Sequence, residues 1–167
     1  RMYSADMSEH CMCGRGPEVR AIGWLDGDHA FPRGPVPRAF QRALREQVTH
    51  AWQFLRFMGG HRCTVCPLVV RIFGRGGHEN LWVPSEKHLF IAPAMILHYI
   101  DWHRYRPPEP FIEAVLACPP QGSEAYFERM RVFRGCVPSG RFPGDEADPT
   151  CGSSSPCSTG SWTPGNP

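Results

Sequence analysis

The chain has 167 residues, 41% of them hydrophobic and 20% charged, enough for one domain with a core of its own. Its formal net charge of +2 is too small for an electrostatic grip on nucleic acid or on a membrane surface. No apolar run reaches the ~18–20 residues of a membrane span, and no signal peptide is visible, so cytoplasmic residence is expected and the eight cysteines point to metal rather than to disulfides.

Arg1 to Arg20 is polar and broken by glycine and proline, and is expected to be a disordered leader. It carries His10-Cys11-Met12-Cys13, a thiol pair beside an imidazole that suits a soft metal. In a segment without helix or strand periodicity, the two thiols read first as incidental. Ala21 to Leu25 is a short apolar run that predicts a strand. Asp26-Gly27-Asp28-His29 has turn chemistry; its carboxylates and imidazole read as a solvated turn before they read as acid–base groups. Phe31 to Pro37 is too rich in proline for regular structure and is expected to be extended.

From Pro37 to His50 the period becomes helical. Phe40, Ala43, Leu44 and Val48 fall on one stripe, with Arg38, Arg42, Arg45 and Glu46 largely opposite. Ala51 to Met58, with Trp52, Phe54, Leu55 and Phe57, reads as core or a second short helix ending at Gly59-Gly60. Strands are expected at Leu68–Phe73, Asn80–Val83 and Leu89–Ala92, separated by Gly74-Arg75-Gly76-Gly77 and Ser85-Glu86-Lys87-His88. The glycines lack the spacing of a phosphate-binding loop. A helix is predicted from near Pro93 to Arg104, a second over Glu109 to Cys118, and a third after the N-cap candidate Ser123, with Tyr126, Phe127, Met130 and Phe133 inward. From Gly135 the chain turns to Gly, Pro, Ser, Thr and Asp, predicting a disordered tail over 135–167 that holds Cys136, Cys151 and Cys157.

The expected architecture is therefore α+β. A small antiparallel hairpin or meander with a zinc-knuckle-like C-x2-C is packed by three to four helices over residues 21–134, between a leader (1–20) and a tail. The knuckle is Cys63-Thr64-Val65-Cys66, with His98 and His103 supplying an H-x4-H pair further on. Two cysteines and two histidines make a tetrahedral zinc set. Five residues of ideal helix turn through about 500°, so a loosened last turn is needed to aim both imidazoles at one point. His61 competes for one position, since H-x-C-x-x-C is itself a compact ligand set. The knuckle is not read as a redox C-x-x-C, because Pro67 and a strand follow it where a helix is required.

Several segments together are familiar: Asn80-Leu81-Trp82-Val83-Pro84, Ile91-Ala92-Pro93, Leu97-His98-Tyr99-Ile100, and His103-Arg104-Tyr105-Arg106-Pro107-Pro108. With Gly23-Trp24-Leu25, His29-Ala30-Phe31-Pro32 and the Cys63/Cys66 pair, the chain resembles a family of small uncharacterised bacterial proteins over about residues 22–130. The HYI-x-x-H-x-Y-x-P-P segment is the most specific part. The resemblance implies a fold and a site and supplies no activity.

Three functions follow from the residues. A four-ligand zinc site leaves no position for water, so the leading expectation is a structural zinc in a non-enzymatic protein with a binding or accessory role, its partner being another protein. A zinc-dependent hydrolase needs three protein ligands plus water, with Glu79, Asp101 or His88 as base. A nucleic-acid-binding zinc module needs a clustered basic face, whereas the arginines here are interspersed with acids.

Overall fold

Trp82, Val83, Phe90 and Ile91 are the residue types that pack on a pleated surface, and they form the centre of a hairpin. Strand β4 (Asn80–Pro84) pairs antiparallel with β5 (Leu89–Pro93), Asn80 opposite Pro93 and Pro84 opposite Leu89. Ser85 closes the connection: its amide donates to the His88 carbonyl, and its Oγ accepts from the His88 amide at 3.0 Å. The computed structural model describes residues 3–53, 63–67 and 79–136, and in these the fold is α+β, as the sequence predicts.

The other edge of β5 is taken by an early strand, Val19–Ala21, running parallel to it with Val19 opposite Leu89. The sheet is thus mixed, and the antiparallel pair is one half of it. In chain order the remaining elements are a two-residue hairpin, β1 (His10–Cys11) with β2 (Gly14–Arg15), which makes Val19–Ala21 strand β3. They are followed by α1 (Arg38–Thr49), α2 (Ile96–His103), α3 (Glu109–Ala117), α4 (Glu124–Arg131) and a 3-10 turn at Arg134–Cys136.

Every residue of β4 and β5 is buried, because both faces of the sheet are covered. The period of two assigns side chains to faces. Leu81, Val83, Phe90 and Ala92 point to a core shared with Phe40 and Leu44 of α1, Ile96 and Tyr99 of α2 and Phe111 and Val115 of α3. Trp82, Leu89 and Ile91 point to a second core with Cys13, Val19, Trp24 and the α4 residues Tyr126, Phe127 and Met130, closed by Phe133. The predicted inward face of α4 is the observed one, and Ser123 caps that helix by accepting from the Tyr126 amide at 3.2 Å. On α1 the apolar stripe is joined by Gln47. Its amide donates to the Cys118 and Pro119 carbonyls, and its Oε1 accepts from Gln121, so α1 is tied to the α3–α4 connection.

Three expectations are corrected. The leader is structured from residue 3 onward. Residues 4–8 run antiparallel to 21–24, with the Met7 amide donating to the Ala21 carbonyl, the Ala21 amide to the Ser8 carbonyl and the Ser4 amide to the Trp24 carbonyl. No periodicity marks this segment, because single anchors hold it; Asp6 accepts from the Gly23 amide at 2.9 Å and from Tyr105 Oη at 2.8 Å. The strand expected at 21–25 ends at Ala21, because Gly23 takes a left-handed φ of 70°. Pro93 closes β5 rather than opening a helix, and α2 begins at Ile96. The strand at 68–73, the glycine turns at 59–60 and 74–77, and the tail from 137 lie outside the described residues.

Burial pushes the Asp6 carboxyl up, and the Gly23 and Tyr105 hydrogen bonds pull it back down. Tyr105→Phe keeps the buried ring and removes the donor, so the folded-state pKa of Asp6 rises further. A raised carboxyl favours the fold while protonated and loses that contribution as pH climbs through the folded value. The variant should therefore match wild type in acid and fall behind it by about 1–3 kcal/mol near neutral pH, measured by urea unfolding across pH. A deficit that is the same at every pH would show that Asp6 is not the group responsible.

Candidate metal centre

Helix α2 buries Ile96, Tyr99 and Ile100 against the sheet, which leaves His98 and His103 half-buried along its flank. The helix ends at His103, with Arg104 as its cap. Arg104 is left-handed at φ 57°, and the amides of both Arg104 and Tyr105 turn back onto the Tyr99 carbonyl. Those bonds span more than the four residues of a regular α-turn, which supplies the loosened end that the histidine spacing requires. A left-handed non-glycine residue costs about 1–2 kcal/mol. The proline-rich segment offsets that cost by bracing the turn: Gly34 donates to the Arg104 carbonyl, Arg106 donates to the Pro32 carbonyl, and Arg33 bridges Tyr105.

Cys63 and Cys66 are buried opposite this flank. The segment between them is held from one side by Thr64, whose Oγ1 accepts from the Gly27 amide at 3.0 Å. The loop at 26–29 is itself ordered by an Asp26–His29 contact of 2.6 Å, and His29 stacks on Tyr3 at 3.7 Å. That contact draws the Asp26 carboxyl below the usual range. The acidic turn thus acts as a brace beside the knuckle.

The four donor atoms converge. His103 Nε2 lies 3.3 Å from Cys63 Sγ and 3.2 Å from Cys66 Sγ, and His98 Nε2 lies 3.2 Å from Cys66 Sγ. The two Nε2 atoms are 3.2 Å apart, and all four donors fall within 4.8 Å of one another. A tetrahedral ion with metal–sulfur bonds of about 2.3 Å and metal–nitrogen bonds of about 2.0–2.1 Å requires donor separations of roughly 3.3–3.8 Å. The three separations from His103 and the one between His98 and Cys66 match that spacing to within a few tenths of an ångström.

Burial raises the Cys63 thiol and lowers both imidazoles, while the amides of Cys66 and Val65 aim at the Cys63 sulfur and favour its thiolate. Neutral imidazoles are what a metal requires, and amide–sulfur bonds spread the charge of a bound thiolate. Trp102, 78% exposed, stacks on the His98 ring at 6.3 Å and covers its outer face. Sequence reasoning missed Trp102; it anticipated the loosened helix end before Arg104 but not its left-handed form, since a non-glycine left-handed residue has no signature in composition.

The cluster holds the sequence-predicted Cys63, Cys66, His98 and His103 together; His61 lies outside the described residues. None of the three candidate bases joins it. Asp101 is paired with Arg45 at 2.7 Å. His88 lines a separate cavity of about 660 Å³ with Lys87, Glu113 and Arg129. Glu79 precedes β4, where its carbonyl accepts from the Ala94 amide. Among the described residues, no helix is long and apolar enough to cross a membrane.

A family model described as Domain of unknown function (DUF7919) matches residues 2–116, a span that takes in the N-terminal hairpin, the sheet and all four donors. No curated protein and no solved structure matches the chain.

Proposed function

Because the chain belongs to the DUF7919 family, which carries no assigned activity, we propose a function from its donor cluster: a structural zinc centre in a non-enzymatic binding or accessory protein. The observation that carries the reading is the closure of the site. Two thiols and two Nε2 atoms gathered within 4.8 Å of one another could supply all four ligands of a tetrahedral ion, which would leave no corner for water or substrate. Two sulfurs and two imidazole nitrogens favour zinc over harder ions such as magnesium or calcium. The ion would fasten Cys63–Cys66 to the end of α2. A protein partner and residence in a compartment that keeps thiols reduced fit the same reading.

Elemental mass spectrometry on purified wild type and Cys63→Ser tests it. About one zinc per chain is expected in wild type and much less in the variant. Cobalt substitution should give the intense visible bands of a tetrahedral site, unchanged by added small anions. A wild type that binds no metal, with Cys63 and Cys66 freely alkylated, overturns the proposal; anion-sensitive cobalt bands would open a coordination position and favour a hydrolytic site.

A further inference from the structure

A second pair of cysteines is organised by the N-terminal hairpin. Cys11 ends β1 and pairs with Gly14 across the turn, so Met12 and Cys13 form the tip. The two thiols differ in their surroundings. Cys13 is 1% exposed and packed into the second core, whereas Cys11 is only partly buried beside the exposed Met12. The Cys13 thiol donates to the Cys11 sulfur, and the backbone amides of Cys13 and Gly14 point at that same sulfur. Three donors on one partly accessible sulfur are the arrangement that stabilises a thiolate. They hold the Cys11 thiol below its usual range, while that same bond and burial push Cys13 up. The pair lacks the further donors of a metal centre, since among the described residues the grouping of three or more ligands is the one at Cys63.

We propose that Cys11 and Cys13 form a thiol–disulfide exchange site for small disulfides of the glutathione type, with Cys11 as the attacking sulfur and Cys13 as the resolving sulfur. The Cys11 thiolate attacks one sulfur of the small disulfide, forming a mixed disulfide and expelling one thiolate. Cys13 then gives up its proton to that leaving thiolate and attacks the Cys11 sulfur. The Cys11–Cys13 bond forms, the mixed disulfide breaks and the second small thiol departs. Two protein thiols are oxidised and one small disulfide is reduced to two thiols. A ring closed over the single residue Met12 is strained, so the protein disulfide is readily reopened by excess small thiol. The site is independent of the metal centre.

The test uses the full zinc-replete chain treated with oxidised glutathione, followed by alkylation of the remaining thiols and peptide mapping. Wild type should show a Cys11–Cys13 disulfide that excess reduced glutathione reverses. Cys13→Ser should stop at a glutathione adduct on Cys11, and Cys11→Ser should leave Cys13 unmodified. Limiting iodoacetamide should label Cys11 about tenfold or more ahead of Cys13. The proposal is overturned if wild type retains two free thiols under conditions that oxidise a reference dithiol. It is equally overturned if a persistent Cys11 adduct forms in wild type, or if Cys11 pairs with Cys136, whose thiol points to Glu18 near the hairpin. Should Cys13→Ser fail to fold, the wild-type map and the partly buried Cys11→Ser still decide.

Discussion

Cys63→Ser and Cys66→Ser should each abolish metal binding and the cooperative unfolding transition of the native chain. Structural zinc in small domains contributes about 10–16 kcal/mol of apparent binding free energy near neutral pH. That is comparable with the whole stability of an ordinary domain, about 5–15 kcal/mol. A serine hydroxyl is a poor substitute for a thiolate, and it leaves three donors crowded within hydrogen-bonding distance in a buried site. Chelation of wild type should produce the same loss, reversed by zinc; zinc should not rescue the variants. Cys118→Ser, a half-buried thiol among apolar neighbours with no place in the cluster, controls for loss of a sulfur as such. Circular dichroism melts that superimpose for wild type and Cys63→Ser would defeat the assignment. Without metal, burial keeps Cys63 a neutral thiol and His98 and His103 neutral imidazoles. Metal entry must therefore expel thiol protons, so loading should weaken as pH falls.

Phe111→Ala is expected to be the most damaging truncation in the apolar core away from the metal centre. Its ring lies 6.1 Å from that of Phe40 and 5.7 Å from that of Phe90, edge to face in both cases. One side chain of α3 thus joins α1 to the central strand. Removing a buried phenyl group typically costs about 3–5 kcal/mol, and a site enclosed by two other rings has little freedom to collapse. The denaturant midpoint should drop accordingly with little change in slope. Leu116→Ala on the outward face of the same helix, 49% exposed, should change stability by about 0.5 kcal/mol or less. Similar losses in the two variants would show that α3 is not the bridge between α1 and the sheet.

Much of the centre of this molecule was legible because it obeys local rules. The β4–β5 hairpin follows from two apolar runs around a Ser85–His88 turn, and α1, α3 and α4 follow from periodicity and end signals. Cys63, Cys66, His98 and His103 were picked out by their spacing, C-x2-C and H-x4-H, and the fold gathers their ligand atoms within 4.8 Å of one another. What was missed is held by distant partners. Asp6 bonds to Tyr105, and β3 pairs with β5; nothing near either residue in the sequence announces the other. The dipeptide Pro93-Ala94 read as a helix start because proline suits a first turn. Register opposite Asn80 instead keeps Pro93 in the strand.

The parallel pairing of β3 with β5 has a consequence for synthesis on the ribosome. Val19 must wait for Leu89, roughly seventy residues later, and at about 5–20 residues per second the delay is several seconds. During that time the Val19–Leu25 segment, fully buried but for Arg20 in the finished molecule, has no sheet to join. The nascent chain meets this with what has already emerged: residues 4–8 can lie against 21–24 as soon as Trp24 leaves the exit tunnel. The N-terminal arm is thus placed to cover residues 21–24 before the partner strand at Leu89 has been made.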